Sequence, residues 1–72
     1  MKFRIKFASK TCSWNTGYFV RKRKEGFTGC SIEHPEMARV MNKKTLDDVL
    51  QFLTAQGEMN YYDFTVEEVK ED

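Results

Sequence analysis

The amino-acid sequence predicts a two-layer α+β domain, in which one helix covers a mainly antiparallel sheet of about three to five strands. Three observations lead to this fold class. The two ends of the chain alternate apolar and polar residues with the period of two that is typical of half-buried strands. A Glu-Gly pair separates two further strand-like runs, which indicates a hairpin, and a later segment repeats leucine and valine at helical spacing. The expected order is β-β-β-(β)-α-β in one domain that spans residues 1–72.

The first predicted strand covers residues 2–8, KFRIKFA, where apolar residues alternate with cations. Because successive side chains of a strand point to opposite faces, one face is apolar and the other is basic. The apolar face is expected to lie in the core and carries Phe3, Ile5 and Phe7, and the solvent face carries Lys2, Arg4 and Lys6.

Residues 17–24 and 27–33 are predicted to form a hairpin with a two-residue turn at Glu25-Gly26. Glycine in the second position suits the positive backbone angles that such turns require. Four consecutive cations, residues 21–24, then lie close to the turn.

In the register that this turn sets, Phe19 lies opposite Ile32 and Arg21 lies opposite Cys30. The face with Phe19 and Ile32 is expected to pack in the core. A turn of three residues would shift the pairing and exchange the two faces.

Pro35 interrupts the strand pattern, because it lacks a backbone donor and restricts the residue before it. Residues 37–41 are expected to form a short further strand. The helix that follows is predicted to begin with Thr45 as its N-cap. Asp47 and Asp48 then fall in the first turn, where the helix dipole favours anions.

The helix is predicted to end at Gly57, which can adopt the left-handed conformation that stops a helix. Phe52 lies outside the apolar stripe and is expected to be partly exposed. The stripe that should cover the sheet consists of Leu46, Val49, Leu50 and Leu53.

The last predicted strand has one apolar face and one polar face. Residues 68–72 are expected to follow it as a frayed acidic tail. If this strand lies beside residues 2–8, its acids oppose the cations of that strand and neutralise them. The core face carries Tyr62, Phe64 and Val66, and the other face carries Asp63, Thr65 and Glu67.

The charge of the chain is unevenly distributed, although the net charge is +1. Residues 1–30 contain eight Lys and Arg against one acid, a local charge of +7. Residues 31–72 contain four Lys and Arg against ten acids, a local charge of −6. Such asymmetry indicates either an interaction surface or pairing of the two halves within the fold.

The sequence argues against chemistry at this domain, and we expect no enzyme activity, metal, cofactor or small-molecule substrate. Two cysteines and one histidine are too few for a structural zinc site. Cys30 and His34 are four residues apart, roughly 13 Å along a strand, so a proton passes between them only if the strand folds back after His34. Cys12 and Cys30 are expected to be reduced thiols, and the chain shows no signal or membrane segment, so we expect a cytoplasmic protein.

Three functions remain as hypotheses. The favoured one is protein–protein contact or self-association through the basic hairpin and a free sheet edge, aided by exposed apolar residues such as Trp14 and Phe52. The alternative is nucleic-acid binding, in which the cations contact phosphates and nearby aromatic rings stack on bases. A third is inhibition of a partner or host protein. The candidate binding surface consists of Arg21, Lys22, Arg23, Lys24, Trp14, Tyr18 and Phe27.

Two segments, ARVMNKKTLDDVLQFL and YYDFTVEEV, resemble a loose group of small proteins from Gram-positive bacteria and their phages. In that group an Ala-Arg-Val strand end leads into a Lys-Lys-Thr helix start. The resemblance covers about residues 38–69. It implies an α+β domain and a small accessory or host-interaction protein, and it carries no catalytic or binding residue onto this chain.

Overall fold

A computed structural model describes residues 1–70 and contains a four-stranded antiparallel sheet with one helix, so the predicted α+β class is confirmed. The strands lie in the spatial order β3-β2-β1-β4. Two short 3₁₀ turns, Pro35–Met37 and Glu58–Asn60, flank the helix. The main elements are β1 (Lys2–Ser9), β2 (Thr16–Lys22), β3 (Phe27–Ser31), α1 (Lys43–Ala55) and β4 (Tyr62–Val69).

The core lies between α1 and one face of the sheet, as the two periodicities predict. Ile5 and Phe19 from the sheet and Leu53 from the helix are completely buried. Deleting most of a side chain at such a site typically costs about 2–5 kcal/mol of stability. The centre of the core consists of Ile5, Phe19, Met41, Leu46, Val49 and Leu53.

Helix α1 begins earlier than predicted, because Asn42 and not Thr45 is its N-cap. The Asn42 side chain accepts a hydrogen bond from the backbone N–H of Thr45 at 2.9 Å. Asp47 and Asp48 therefore fall outside the first turn, and Asp47 pairs instead with Lys43 one turn earlier, at 2.6 Å. The predicted stop is confirmed, since Gly57 follows the helix with a φ of +75°.

The predicted hairpin is present, but the register predicted for it is wrong. A four-residue loop, residues 23–26, replaces the two-residue turn, and Phe19 lies opposite Gly29. Ile32 falls beyond the end of β3 and is 37% exposed. The physical reason is the ring of Phe7, which lies so close to β3 that a Cβ on Gly29 would come within 2.6 Å of it.

A β-bulge between Phe19 and Arg21 changes which way the following side chains point. The extra residue, Val20, shifts the alternation by one position. Lys22 therefore lies opposite Phe27 on the helix side, and Arg21 lies opposite Thr28 on the other side.

The sheet is split between β1 and β2. These strands pair where residues 6–8 face residues 16–18. Beyond that stretch, Phe3 and Met41 exchange both backbone hydrogen bonds at 2.8 Å, and the Arg39 N–H donates to the Phe19 carbonyl at 3.1 Å. The predicted strand at residues 37–41 is therefore reduced to one bridge that fills the gap.

The chain crosses the sheet through this gap. The Cys30 thiol, which is on the side of Tyr18, contacts the His34 carbonyl oxygen at 3.6 Å, so the chain after β3 runs over that face. Met41 then packs in the core on the opposite side. Residues 34–41 thus lead from the face away from the helix to the face that the helix covers.

Strand β4 pairs with β1 along its whole length, from Tyr62 opposite Ser9 to Val69 opposite Lys2. The expected frayed tail at residues 68–72 is wrong for residues 68 and 69, which belong to β4. Residues 71–72 of that tail lie outside the described residues. Val66 is 41% exposed, contrary to its predicted place under the helix. The reason is that α1 packs over β1 and the Phe19 part of β2.

Candidate interaction surface

The predicted surface is divided by the length of β2. Trp14 is 84% exposed in the loop before β2, whereas the four cations begin near its far end. A strand of seven residues separates the two by about 20 Å. Trp14 and the cations therefore do not form one contact patch.

Two of the residues predicted to stack on bases, Tyr18 and Phe27, pack against other side chains instead. Tyr18 is only 7% exposed, and the guanidinium of Arg4 lies over its ring at 4.9 Å. The half-buried ring of Phe27 packs against Phe7, Tyr62 and Phe64, with centroids 5.2, 5.5 and 5.8 Å away. Tyr18 therefore offers no free face on which a base could stack, and the ring of Phe27 is only partly accessible.

The basic face of β1 is partly neutralised by β4, as predicted. The Arg4 Nε donates to Glu67 Oε1 at 2.8 Å, and this hydrogen bond raises the pKa of Arg4 above its ordinary value. Asp63 lies 4.0 Å from Lys10 rather than from a cation of β1. Lys6 lies opposite Thr65, which carries no charge. Of the cations of β1, Arg4 is therefore the one for which the expected ion pair with β4 is found.

The bulge divides the four cations of the hairpin. Lys22 turns to the helix side, where its ammonium lies 3.6 Å from Asp48 and 5.4 Å from the ring of Phe52. Arg21, Arg23 and Lys24 are exposed, and no carboxylate within residues 1–70 lies within 4.0 Å of their cationic groups. We call these three residues the hairpin tip.

A groove of about 570 Å³ runs along β3 on the helix side, between the hairpin loop and the loop that carries Trp14. Its floor includes the rings of Phe7, Phe27 and Tyr62, and the carboxylates of Glu25 and Glu58 line it near the loop. The tip is therefore bordered by acids on this side.

Cys30 and His34 approach each other through the backbone of His34. The chain does fold back after β3, but the thiol contacts the backbone oxygen of His34, and the His34 ring bonds to Glu36 at 3.1 Å. The pKa of the Glu36 carboxyl is lowered by its own backbone N–H and by His34. In the described part of the chain, no three His, Cys, Asp or Glu side chains cluster as metal ligands would.

The outer edge of β4 is a feature that the sequence did not single out. Within residues 1–70 no strand pairs with this side of β4, which carries Asp63 and Glu68 as exposed acids. The acids were visible in the sequence, but strand order was not. The same residues contain no helix with the length and apolar character needed to cross a membrane.

The fold and these surfaces define a small two-layer α+β domain with a basic loop and an acidic sheet edge. No model of a protein family, no curated protein and no solved structure matches the chain. The exposed surfaces of the domain are therefore the basis for a proposed function.

Proposed function

We propose that the protein is a non-enzymatic interaction module of the cytoplasm, whose hairpin tip contacts an acidic surface of a partner protein. The observation that carries the proposal is the exposure of Arg21, Arg23 and Lys24 without an ion pair to another described residue. In contrast, Arg4 and Lys22 each have a carboxylate partner. An accessory or regulatory role fits a domain of this size.

The surroundings of the tip favour an acidic protein over single-stranded nucleic acid. Proteins that bind single strands combine cations with aromatic rings, and each stacked base contributes about 1–3 kcal/mol. Tyr18 is buried, Phe27 packs among other rings, and Trp14 lies at the opposite end of β2. The tip therefore offers charge without a stacking platform.

The strength of such a contact is limited. Three exposed ion pairs of about 0.2–1 kcal/mol each give at most about 3 kcal/mol, whereas a micromolar complex requires about 8 kcal/mol. The tip therefore serves to attract and orient a partner, as rim charges do in other complexes. A second surface must supply most of the affinity.

Amide chemical shifts test the proposal with two probes of equal charge, an oligoglutamate and an oligothymidylate, at low salt. We expect both probes to shift the amides of residues 21–26 and to bind with similar, weak affinity, because the nearby rings of Tyr18 and Phe27 are packed against other side chains. The double variant Arg21→Glu and Arg23→Glu should lose both interactions while keeping its dispersed spectrum.

The matched control is Lys43→Glu with Lys44→Glu, which makes the same charge change at the exposed start of α1. This variant should bind both probes as the parent protein does. Oligothymidylate binding that is tighter by about tenfold or more would point to stacking and to the nucleic-acid function instead. Shifts centred away from the tip would reject the tip as the contact site.

A further inference from the structure

The outer edge of β4 is open to another strand. β4 has eight residues, keeps one unbroken register with β1 and contains no proline. On its other side, no strand pairs with it within residues 1–70. Natural edge strands are usually protected by short length, bulges, proline or charge. Among the described residues, charge is the one such protection that β4 has, so its outward backbone donors and acceptors are available to another strand.

The acids of β4 make a second copy a poorer occupant than a basic strand. Only alternate residues of β4 turn their backbone groups outward, so two copies can pair antiparallel only in every second register. With Thr65 opposite Thr65, Asp63 of each copy faces Glu67 of the other. With Val66 opposite Val66, the acids face uncharged residues such as Phe64 and Thr65, so neither register gives them a cation. Like charges directly opposite each other destabilise a strand pair. The chain's own basic strand, β1, is not free to pair with a copy either, since β4 and β2 flank it.

The strand that already pairs with the inner side of β4 indicates which kind of side chain would suit a strand on its outer side. There β4 pairs with β1, which is basic on one face, and Arg4 binds Glu67 at 2.8 Å. A strand on the outer side meets Asp63 on the face of Arg4 and Glu68 on the helix face, because the two acids differ by an odd number of positions. The exposed Val66 lies beside Glu68 on the helix face.

We infer that the outer edge of β4 binds an extended, basic segment of another protein by strand addition. The segment places one Lys or Arg opposite Asp63 and another opposite Glu68, and a small apolar residue beside Val66. Main-chain hydrogen bonds supply affinity and the two cations supply specificity, as in other complexes formed by strand addition. This site is separate from the hairpin tip and does not depend on its function.

The probe is a capped peptide of the same length as β4, with Lys at its second and seventh positions and Thr or Val elsewhere. These positions match Asp63 and Glu68, and their symmetry allows parallel or antiparallel pairing. We expect amide shifts and slowed hydrogen exchange along β4. A peptide with Glu at both positions should bind at least about tenfold more weakly.

Backbone pairing is tested with two N-methylated peptides, one methylated at every even amide and the other at every odd amide. Alternate amides of an added strand point toward β4, so one of these peptides should lose binding and the other should keep it. Equal binding by both methylated peptides would show that charge alone attracts the probe, which would overturn strand addition.

The variant Asp63→Lys with Glu68→Lys should reverse the preference, so that the Glu peptide binds more tightly than the Lys peptide. The control Glu33→Lys with Glu36→Lys makes the same charge change after β3 and should leave the preference unchanged. If the reversed variant does not fold, Asp63→Asn with Glu68→Gln should remove the preference. An unchanged preference, shifts outside β4 or no binding by the Lys peptide would each reject the site.

The tip variant Arg21→Glu with Arg23→Glu separates the two proposals. It should bind the Lys peptide as the parent protein does, although it loses the oligoglutamate. Simultaneous loss of both interactions would show that the Lys peptide does not occupy an independent site at β4.

Discussion

The hairpin tip and the outer edge of β4 are two charged surfaces of opposite sign, and they differ in what they offer a partner. The tip carries its cations at the end of β2 and on the loop that follows, so it presents charge on long, exposed side chains. The edge carries acids on a regular strand, so it presents charge together with a row of backbone groups. Exposed charge attracts many partners weakly, whereas the outward N–H and C=O groups of an edge strand bind only an extended chain.

The two surfaces account for part of the opposite charge of the two halves of the sequence. Part of the charge cancels where β1 meets β4, through Arg4 and Glu67. Three further cations lie at the tip beside β3. Two exposed acids, Asp63 and Glu68, lie on β4 at the far side of the sheet, while other charges, such as Asp47 on the helix, lie outside both surfaces. The near-neutral total therefore conceals two surfaces of opposite sign at opposite sides of the sheet.

The largest effect is expected when the protecting acids of the edge are replaced. Asp63→Val with Glu68→Val removes the repulsion between two β4 strands, and we expect the 8.5 kDa chain to form dimers or larger assemblies as concentration rises. Light scattering measures the mass. Arg21→Val with Arg23→Val adds the same side chains at the tip, away from the edge of β4, and should leave the mass unchanged.

Salt should separate the two surfaces next. Raising the ionic strength from about 0.05 M to about 0.5 M shortens the screening length several-fold. We expect oligoglutamate binding at the tip to weaken by about tenfold or more, because it depends on exposed charge. Lys-peptide binding at β4 should weaken less, since backbone hydrogen bonds remain. An equal salt dependence in titrations at both ionic strengths would contradict the distinction.

A smaller effect is expected from Arg4→Met, which tests whether sheet cations differ from tip cations. The change removes the hydrogen bond to Glu67 and the contact over Tyr18, so we expect a loss of about 0.5–1 kcal/mol in the free energy of unfolding. Arg21→Met should cost less, because Arg21 has no such partner among residues 1–70. Urea unfolding of both variants measures the difference.

The smallest effect concerns Glu36, which belongs to neither surface. Its pKa is lowered in the folded state from 4.5, first by its backbone N–H and then by His34. Its stabilising contribution is therefore present above pH 4.5 and is lost as pH falls through the lower folded value. Carboxyl shifts followed by NMR should show this titration, and His34→Ala should move it only partly back, since the backbone contribution remains.

Local periodicity was sufficient to predict the fold class. The alternation in β1 placed Phe3, Ile5 and Phe7 on the core face, and the helical spacing of the leucines placed α1 over the sheet. These patterns depend on neighbouring residues, so one sequence reveals them. The four cations of the hairpin were likewise visible as a cluster.

The features that decide the site depend on residues far apart in the chain. The register of β3 follows from the ring of Phe7, which requires Gly29 beside it. Tyr18 is buried because Arg4 and the returning chain cover its face. The bulge after Phe19 sends Lys22 to Asp48 on the helix. None of these contacts leaves a periodic pattern, so the predicted stacking surface did not form.

The split between β1 and β2 divides the sheet into two strand pairs, which also contact each other through the ring of Phe27. One ribbon consists of β2 and β3 and carries the tip, and the other consists of β1 and β4 and carries the acidic edge. They are joined where residues 6–8 meet residues 16–18, and by the chain that passes through the gap to α1. A change in the twist between the two ribbons would therefore strain the backbone bridge between Phe3 and Met41 first. A partner that contacts both ribbons would hold their relative twist fixed.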